Sequence, residues 1–217
     1  ASSGRTITSM QFAKPEGEGA IDLRAPRIVP SASEDEFFVV AMPEYVLDGK
    51  LSRISFDSGK ILKTTELNGD IGMVTSSGAI TRNSGTGGQG NWPMQLFSLE
   101  TGKVVRRIDN RPEDRIAAAS SMDESIDGKT LLVGRSDAGI DQIDISTGRH
   151  LRTLAAHKSS VSSVRMVAPE RIVSTSGDGS VNVWDSRTGR LLASTFFFSA
   201  SDWLTITPEG FFDISSP

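Results

Sequence analysis

A glycine turn recurs along this chain at nearly equal intervals. Ser58-Gly59-Lys60-Ile61, Thr101-Gly102-Lys103-Val104, Thr147-Gly148-Arg149-His150-Leu151 and Thr188-Gly189-Arg190-Leu191 each set a hydroxyl residue, a glycine and a basic residue before an apolar run. The glycines are 43, 46 and 41 residues apart, and one interval further back Gly17 marks a more eroded copy in FAKPEGEGAIDL. Five residues before each glycine stands Phe12, Ile54, Phe97, Ile143 or Trp184, all apolar. A period of about 40–45 residues that fixes both a turn and an apolar position implies repeated sheet units.

Within each period the local pattern is strand, turn, strand. EFFVVA (36–41), TLLVGR (130–135), RIVSTS (171–176) and WLTITP (203–208) are short β-prone runs bounded by Gly, Asp, Ser or Pro. No stretch keeps a helical period, and the alanines of RIAAASSM (115–122) do not make one. Short strands alone are compatible with a sandwich, a barrel or a propeller, and the long period selects an all-β propeller. WLTITPEGFFDIS (203–215) reads as the first two strands of a blade, turning at Glu209-Gly210, and RTITSMQFAKPEGEGAIDL (5–23) as the last two. The expected architecture is one domain over 1–217 with about five four-stranded blades. Four are complete, near 24–66, 67–108, 109–154 and 155–196, and the fifth joins 197–217 to 1–23. The alternative is part of a seven-bladed ring.

LRTLAAHKSSVSSVRMVAPERIVSTSGDGSVNVWDSRTGRLL (151–192) resembles a WD40 repeat along its whole length. The resemblance implies a hydrogen-bonded set of His157, Ser174, Asp178 and Trp184. An imidazole bridging a hydroxyl and a carboxylate, with the indole N–H also paired, would fix the twist of the blade. The preceding repeat keeps Asp137 but has Val133 and Ile143 for the Ser and Trp, so apolar packing alone is expected there. DWLTITPEGFFDISSP also resembles a segment of bacterial WD-repeat proteins, some of which carry a caspase-like peptidase domain.

Other chemistries find little support. With 23 basic and 27 acidic residues the formal charge is −4, which argues against nucleic acid or an anionic membrane as partner. No apolar stretch approaches the roughly 18 residues of a membrane span. The chain opens at Ala1 with no secretory signal, as an excised piece of a longer protein would. The lack of cysteine rules out disulfides, thiolate metal sites and a cysteine nucleophile; it is compatible with the cytoplasm but does not fix the compartment.

SGTGGQGNWP (84–93) contains G-x-G-x-x-G at Gly85, Gly87 and Gly90, but Trp92-Pro93 and a strand follow where a phosphate loop needs a helix. It reads as a mobile turn. A Ser-His-Asp hydrolase needs a free histidine beside an exposed serine, whereas His157 is committed to the set and His150 falls on an outer strand. No G-x-S-x-G element is present. Asp137, Asp141 and Asp144, or Ser176, Asp178 and Ser180, lack the distal bidentate Glu of a calcium loop and read as turn and strand-end groups. Glu34-Asp35-Glu36 and Asp123-Glu124 read as wet surface, and Asp109, Glu113 and Asp114 offset Arg106, Arg107 and Arg111.

No catalytic residue, metal site or cofactor is therefore expected. In the family, one rim of the ring carries the loops between blades, and here that rim would present Tyr45, Asn91, Trp92, Arg111 and Lys158. Aromatic and Arg anchors are what protein interfaces use. The expected role is a non-catalytic scaffold for a protein or peptide, as the regulatory or sensing module of a larger bacterial protein. The alternatives are a propeller hydrolase, or the propeller portion of a caspase-like peptidase whose catalytic domain lies elsewhere.

Overall fold

The computed structural model describes residues 27–29, 35–41, 48–69, 71–81, 94–108, 118–155, 157–199 and 201–215, and these form an all-β row of antiparallel sheets. The first sheet contains β1 (Arg27–Val29), β2 (Glu36–Ala41), β3 (Asp48–Ser55) and β4 (Ile61–Asn68). The second contains β5 (Ile71–Thr75), β6 (Gly78–Thr81), β7 (Met94–Phe97) and β8 (Val104–Ile108). The third contains β9 (Ala119–Glu124), β10 (Thr130–Arg135), β11 (Gly139–Asp144) and β12 (His150–Ala155). The fourth runs from β13 (Val161–Ala168), β14 (Arg171–Ser176), β15 (Ser180–Asp185) and β16 (Leu191–Phe197) on to β17 (Trp203–Ile206) and β18 (Phe212–Ile214). β9 packs against β5 on one side and β13 on the other, so the sheets follow one another in chain order. The runs at 36–41, 130–135 and 171–176 are β2, β10 and β14 to the residue.

The repeated glycine lies between the third and fourth strands of each sheet. Gly59, Gly102, Gly148 and Gly189 have φ of 63°, 66°, 72° and 76°, a region that costs a residue with a Cβ roughly 1–2 kcal/mol. Each donates its amide to the carbonyl four residues back, on Ser55, Ser98, Asp144 and Asp185. Side chains of those same four residues accept turn amides, from Ser58, Thr101, Thr147 and Thr188 respectively. The glycine is also the point of contact between sheets. A Cβ on Gly102 would lie 2.6 Å from the Glu66 carbonyl of β4, and one on Gly148 would collide with the Arg107 carbonyl of β8. Gly189 instead faces side chains of β12, where a Cβ would lie 3.0 Å from Arg152 Cδ and 3.1 Å from Leu154 Cδ2.

The apolar residue of the repeat is buried in every described copy: Ile54, Phe97, Ile143 and Trp184. Phe12 lies outside the described residues. A register shift falls immediately before each of the four in its pairing with the next strand. One extra residue on the outer strand bends it there, which sets how the apolar side chain enters the core.

Two apolar clusters hold the sheets together. One spans the first three sheets and includes Leu131, Val133 and Ile143; the other joins the third to the fourth through Leu132, Ile140, Leu154, Val161, Val164, Ile172 and Trp184. Successive residues of β10 thus feed opposite clusters, because alternate side chains leave a strand on opposite faces. That explains the unbroken Leu131-Leu132-Val133 run, whereas β14, with the alternating RIVSTS, buries one face. Each fully buried Leu or Ile contributes about 1.5–3 kcal/mol.

The closing hairpin has its turn at Gly210, as expected, with φ of 91°. Its first strand pairs with β16, from Ser194 opposite Ile206 to Phe197 opposite Trp203, so the described hairpin extends the fourth sheet. The sequence had it opening a separate blade with residues 5–23, and that segment lies outside the described residues. The reason for the extension is local: only five residues separate β16 from β17, which favours pairing of sequential antiparallel strands.

Gly148→Ala should destabilise the protein by about 2 kcal/mol or more, from strained φ plus contact with β8. Gly210→Ala, at positive φ with nothing within 4 Å, should cost only the conformational part. Urea unfolding of the two variants measures the difference, and equal losses would mean that the turn does not bear on the preceding sheet.

Candidate functional site

The fourth sheet brings His157, Ser174, Asp178 and Trp184 together. His157 sits in the connection entering β13, Ser174 on β14, Asp178 in the β14–β15 turn and Trp184 on β15. The Trp184 indole N–H donates to Ser174 Oγ at 2.8 Å, and Ser174 Oγ lies 2.7 Å from His157 Nε2. His157 Nδ1 is 3.2 Å from Asp178 Oδ2. A carboxylate only accepts, so Nδ1 carries the proton, Nε2 accepts, and the Ser174 hydroxyl donates to it. The two rings meet edge to face with centroids 6.1 Å apart.

Ser180 also belongs to the set, and Asn182 packs beside it. Ser180 Oγ lies 3.1 Å from His157 Nδ1, and the Asn182 carboxamide 3.3 Å from the same nitrogen. Strand alternation carried the signal for both, since Ser180, Asn182 and Trp184 share the buried face of β15.

Asp178 is the acceptor hub. Its Oδ1 receives the Ser180 amide at 2.9 Å and hydroxyl at 2.6 Å, and its Oδ2 receives the Lys158 amide at 2.7 Å. Burial works to raise its pKa, but the Ser180 hydroxyl, the Lys158 and Ser180 amides and the His157 ring outweigh it. The carboxyl is held far below the usual carboxylate range. The same bond anchors the Lys158 backbone just before β13, with its side chain exposed.

Asp, His and Ser stand here in the bonding order that activates a hydrolase serine. Ser174 is 1% exposed and its oxygen also receives the Trp184 indole, so this order ties strands together rather than presenting a nucleophile.

The third sheet corrects one expectation. In place of apolar packing alone it buries an ion pair, Arg135 Nε to Asp141 Oδ2, with both side chains 0% exposed. Thr153 Oγ1 donates to Asp141 Oδ1 at 2.7 Å, and His150 Nε2 lies 3.2 Å from that oxygen and 3.0 Å from Thr153 Oγ1. Asp141, expected at a wet strand end, opposes Val133 just as Asn182 opposes Ser174, and Arg135 ends β10 as Ser176 ends β14. The guanidinium makes burial of this carboxylate possible by neutralising it. Asp137 remains in an exposed turn, and His150 opens the outer strand β12. Asp144 keeps its expected turn role, its pKa lowered by the Ser146 hydroxyl and the Thr147 amide.

Of the rim residues, Tyr45, Asn91, Trp92 and Arg111 lie outside the described residues, as does the glycine-rich 84–93 loop. Lys158 is the described one.

Residues 148–185 match the WD domain, G-beta repeat family, and the chain therefore carries a WD40 repeat built around the polar set just described. WD40 repeats are typically non-catalytic. Apoptotic protease-activating factor 1 of Mus musculus is 38% identical over 65 residues, 30% of this chain and 5% of that protein. Autophagy-related protein 16 of Arabidopsis thaliana is 42% identical over 65 residues, 30% of this chain and 13% of its own length. The matched segment is thus a small part of both relatives.

Ser174→Ala should cost about 1–3 kcal/mol in urea unfolding, because it leaves the Trp184 indole and His157 Nε2 buried without partners. Full stability in this variant would show that the set is not structural. The folded pKa of Asp178 lies below its unfolded value, so its contribution is complete above about pH 5 and is lost as the pH falls toward the folded value. The gap in urea midpoint between the native protein and Asp178→Asn should therefore narrow between about pH 7 and about pH 3. A gap of constant width would contradict the role of the ionised carboxylate.

Proposed function

We propose that this chain is a non-catalytic WD40 scaffold that binds a protein or peptide, the regulatory or sensing module of a larger bacterial protein. The observation that carries the reading is the WD40 repeat at 148–185, whose polar chemistry is consumed internally while Lys158 is held outward from a fixed backbone. The relatives are by name a protease-activating factor and an autophagy-related protein, which supports protein partners. The binding face is the rim of Tyr45, Asn91, Trp92, Arg111 and Lys158, and residues 1–23 complete a blade with 197–217.

The test is affinity for a partner captured from the source cell. Trp92→Ala should weaken that complex by about 2 kcal/mol or more at an unchanged melting temperature. A variant that binds as tightly as the native protein, or that unfolds, removes the rim assignment.

A further inference from the structure

At the rim opposite Lys158, where β13 ends, a cavity of about 290 Å³ opens between the third and fourth sheets. Ser125, Asp127 and Thr130 line it from the β9–β10 turn, Gln142 from β11, and Met166, Pro169 and Ser186 from the fourth sheet. Its polar walls are unbalanced. Ser125 Oγ donates to Asp127 Oδ1 at 2.6 Å, Ser186 Oγ to the Pro169 carbonyl at 3.1 Å, and Gln142 Nε2 to the Ser186 carbonyl at 2.9 Å. Three of the wall's donors are thus spent within the wall, and Thr130 keeps a hydroxyl that can turn either way.

Two side-chain acceptors are not spent. Gln142 Oε1 has no partner among the described residues, although the side chain is buried. Among the described residues, Asp127 Oδ2 faces only Lys129 Nζ at 3.8 Å, a loose pair whose lysine is 80% exposed. The Ser125 hydroxyl and the Lys129 amide lower the Asp127 pKa, so the carboxylate is charged at neutral pH. The neighbouring cations are partly occupied: Arg171 with the Glu170 carbonyl and Arg165 with the Met122 carbonyl. Ile126, 64% exposed, stands at the mouth with half-buried Met166 and exposed Pro169.

Such a site fits an occupant with an apolar stem and a head that only donates. We propose that this cavity receives an arginine side chain from a partner protein, the stem on Ile126, Met166 and Pro169, the guanidinium on Asp127 and Gln142. Arginine fits better than lysine because its planar fork reaches acceptors on two side chains at once. The proposal rests on the scaffold reading but places a second contact on the other rim.

The probe is a blocked Ala-Arg-Ala peptide, titrated by calorimetry and by amide chemical shifts, with its citrulline counterpart as the uncharged isostere. Saturable binding should shift the amides of residues 125–130 and 186, and should fall about tenfold for citrulline and for Asp127→Asn. Ile126→Ala, which leaves every hydrogen bond in place, should weaken it as well. Binding that is indifferent to citrulline or to both variants overturns the proposal, as do shifts confined to the Lys158 rim or no saturation by about 10 mM. Failure here leaves the Trp92 result untouched, so the two readings fall separately.

Discussion

Three of the four described glycine turns lie against the outer strand of the sheet before them, and the arrangement of the sheets depends on that contact. Gly102 meets Glu66, Gly148 meets Arg107 and Gly189 meets Arg152. The left-handed φ closes the turn, and at Gly102 and Gly148 the missing Cβ lets the next sheet's turn reach a neighbouring backbone. Side chains reinforce the same seams. Lys63 Nζ reaches the Glu100 carbonyl at 2.8 Å, Thr65 the Leu99 carbonyl at 3.0 Å, Ser76 Oγ the Glu124 carboxylate at 2.7 Å, and the Met166 amide Asp123 at 2.6 Å. The 41- to 46-residue period is the length of chain needed to build one sheet and return to that seam.

The third and fourth sheets solve one problem with different chemistry. Both carry a polar group on the third strand that faces inward and must be satisfied. In the fourth sheet Asn182 lies beside His157, within a neutral network that ends on one ionised aspartate. In the third, Asp141 takes that position and Arg135 supplies the compensating charge. Either arrangement joins adjacent strands through side chains as well as backbone, and a buried group left without its partner would cost more than the bond contributes. The buried ionisable groups of both sheets are thus satisfied within the fold.

The far edge differs in character. Phe197, Phe198, Phe211, Phe212 and Ile214 are exposed on the extended fourth sheet. The internal sheets bury both faces of their second strands; here the apolar residues gather beside the last hairpin instead. An apolar sheet edge of this kind favours association, so it is the part of the described surface with most to gain from being covered.

The sequence by itself determined the repeat, the all-β class and three strands to the residue, because turn glycines and alternation are local properties. Its resemblance to a WD40 repeat also marked His157, Ser174, Asp178 and Trp184, all within one repeat, and the structure brings them together. The Arg135–Asp141 pair was not legible: both look like surface residues until β10 is enclosed between two clusters, and enclosure depends on sheets distant in the chain. The same holds for Gln142, which becomes a cavity wall only because Ser186, 44 residues on, takes its amide nitrogen. The hairpin's pairing with β16 has instead a local cause, the five-residue connection between β16 and β17. Local chemistry fixed the strands and turns; which faces were shut off from water, and so which charges had to be paired, was settled only when the sheets stacked.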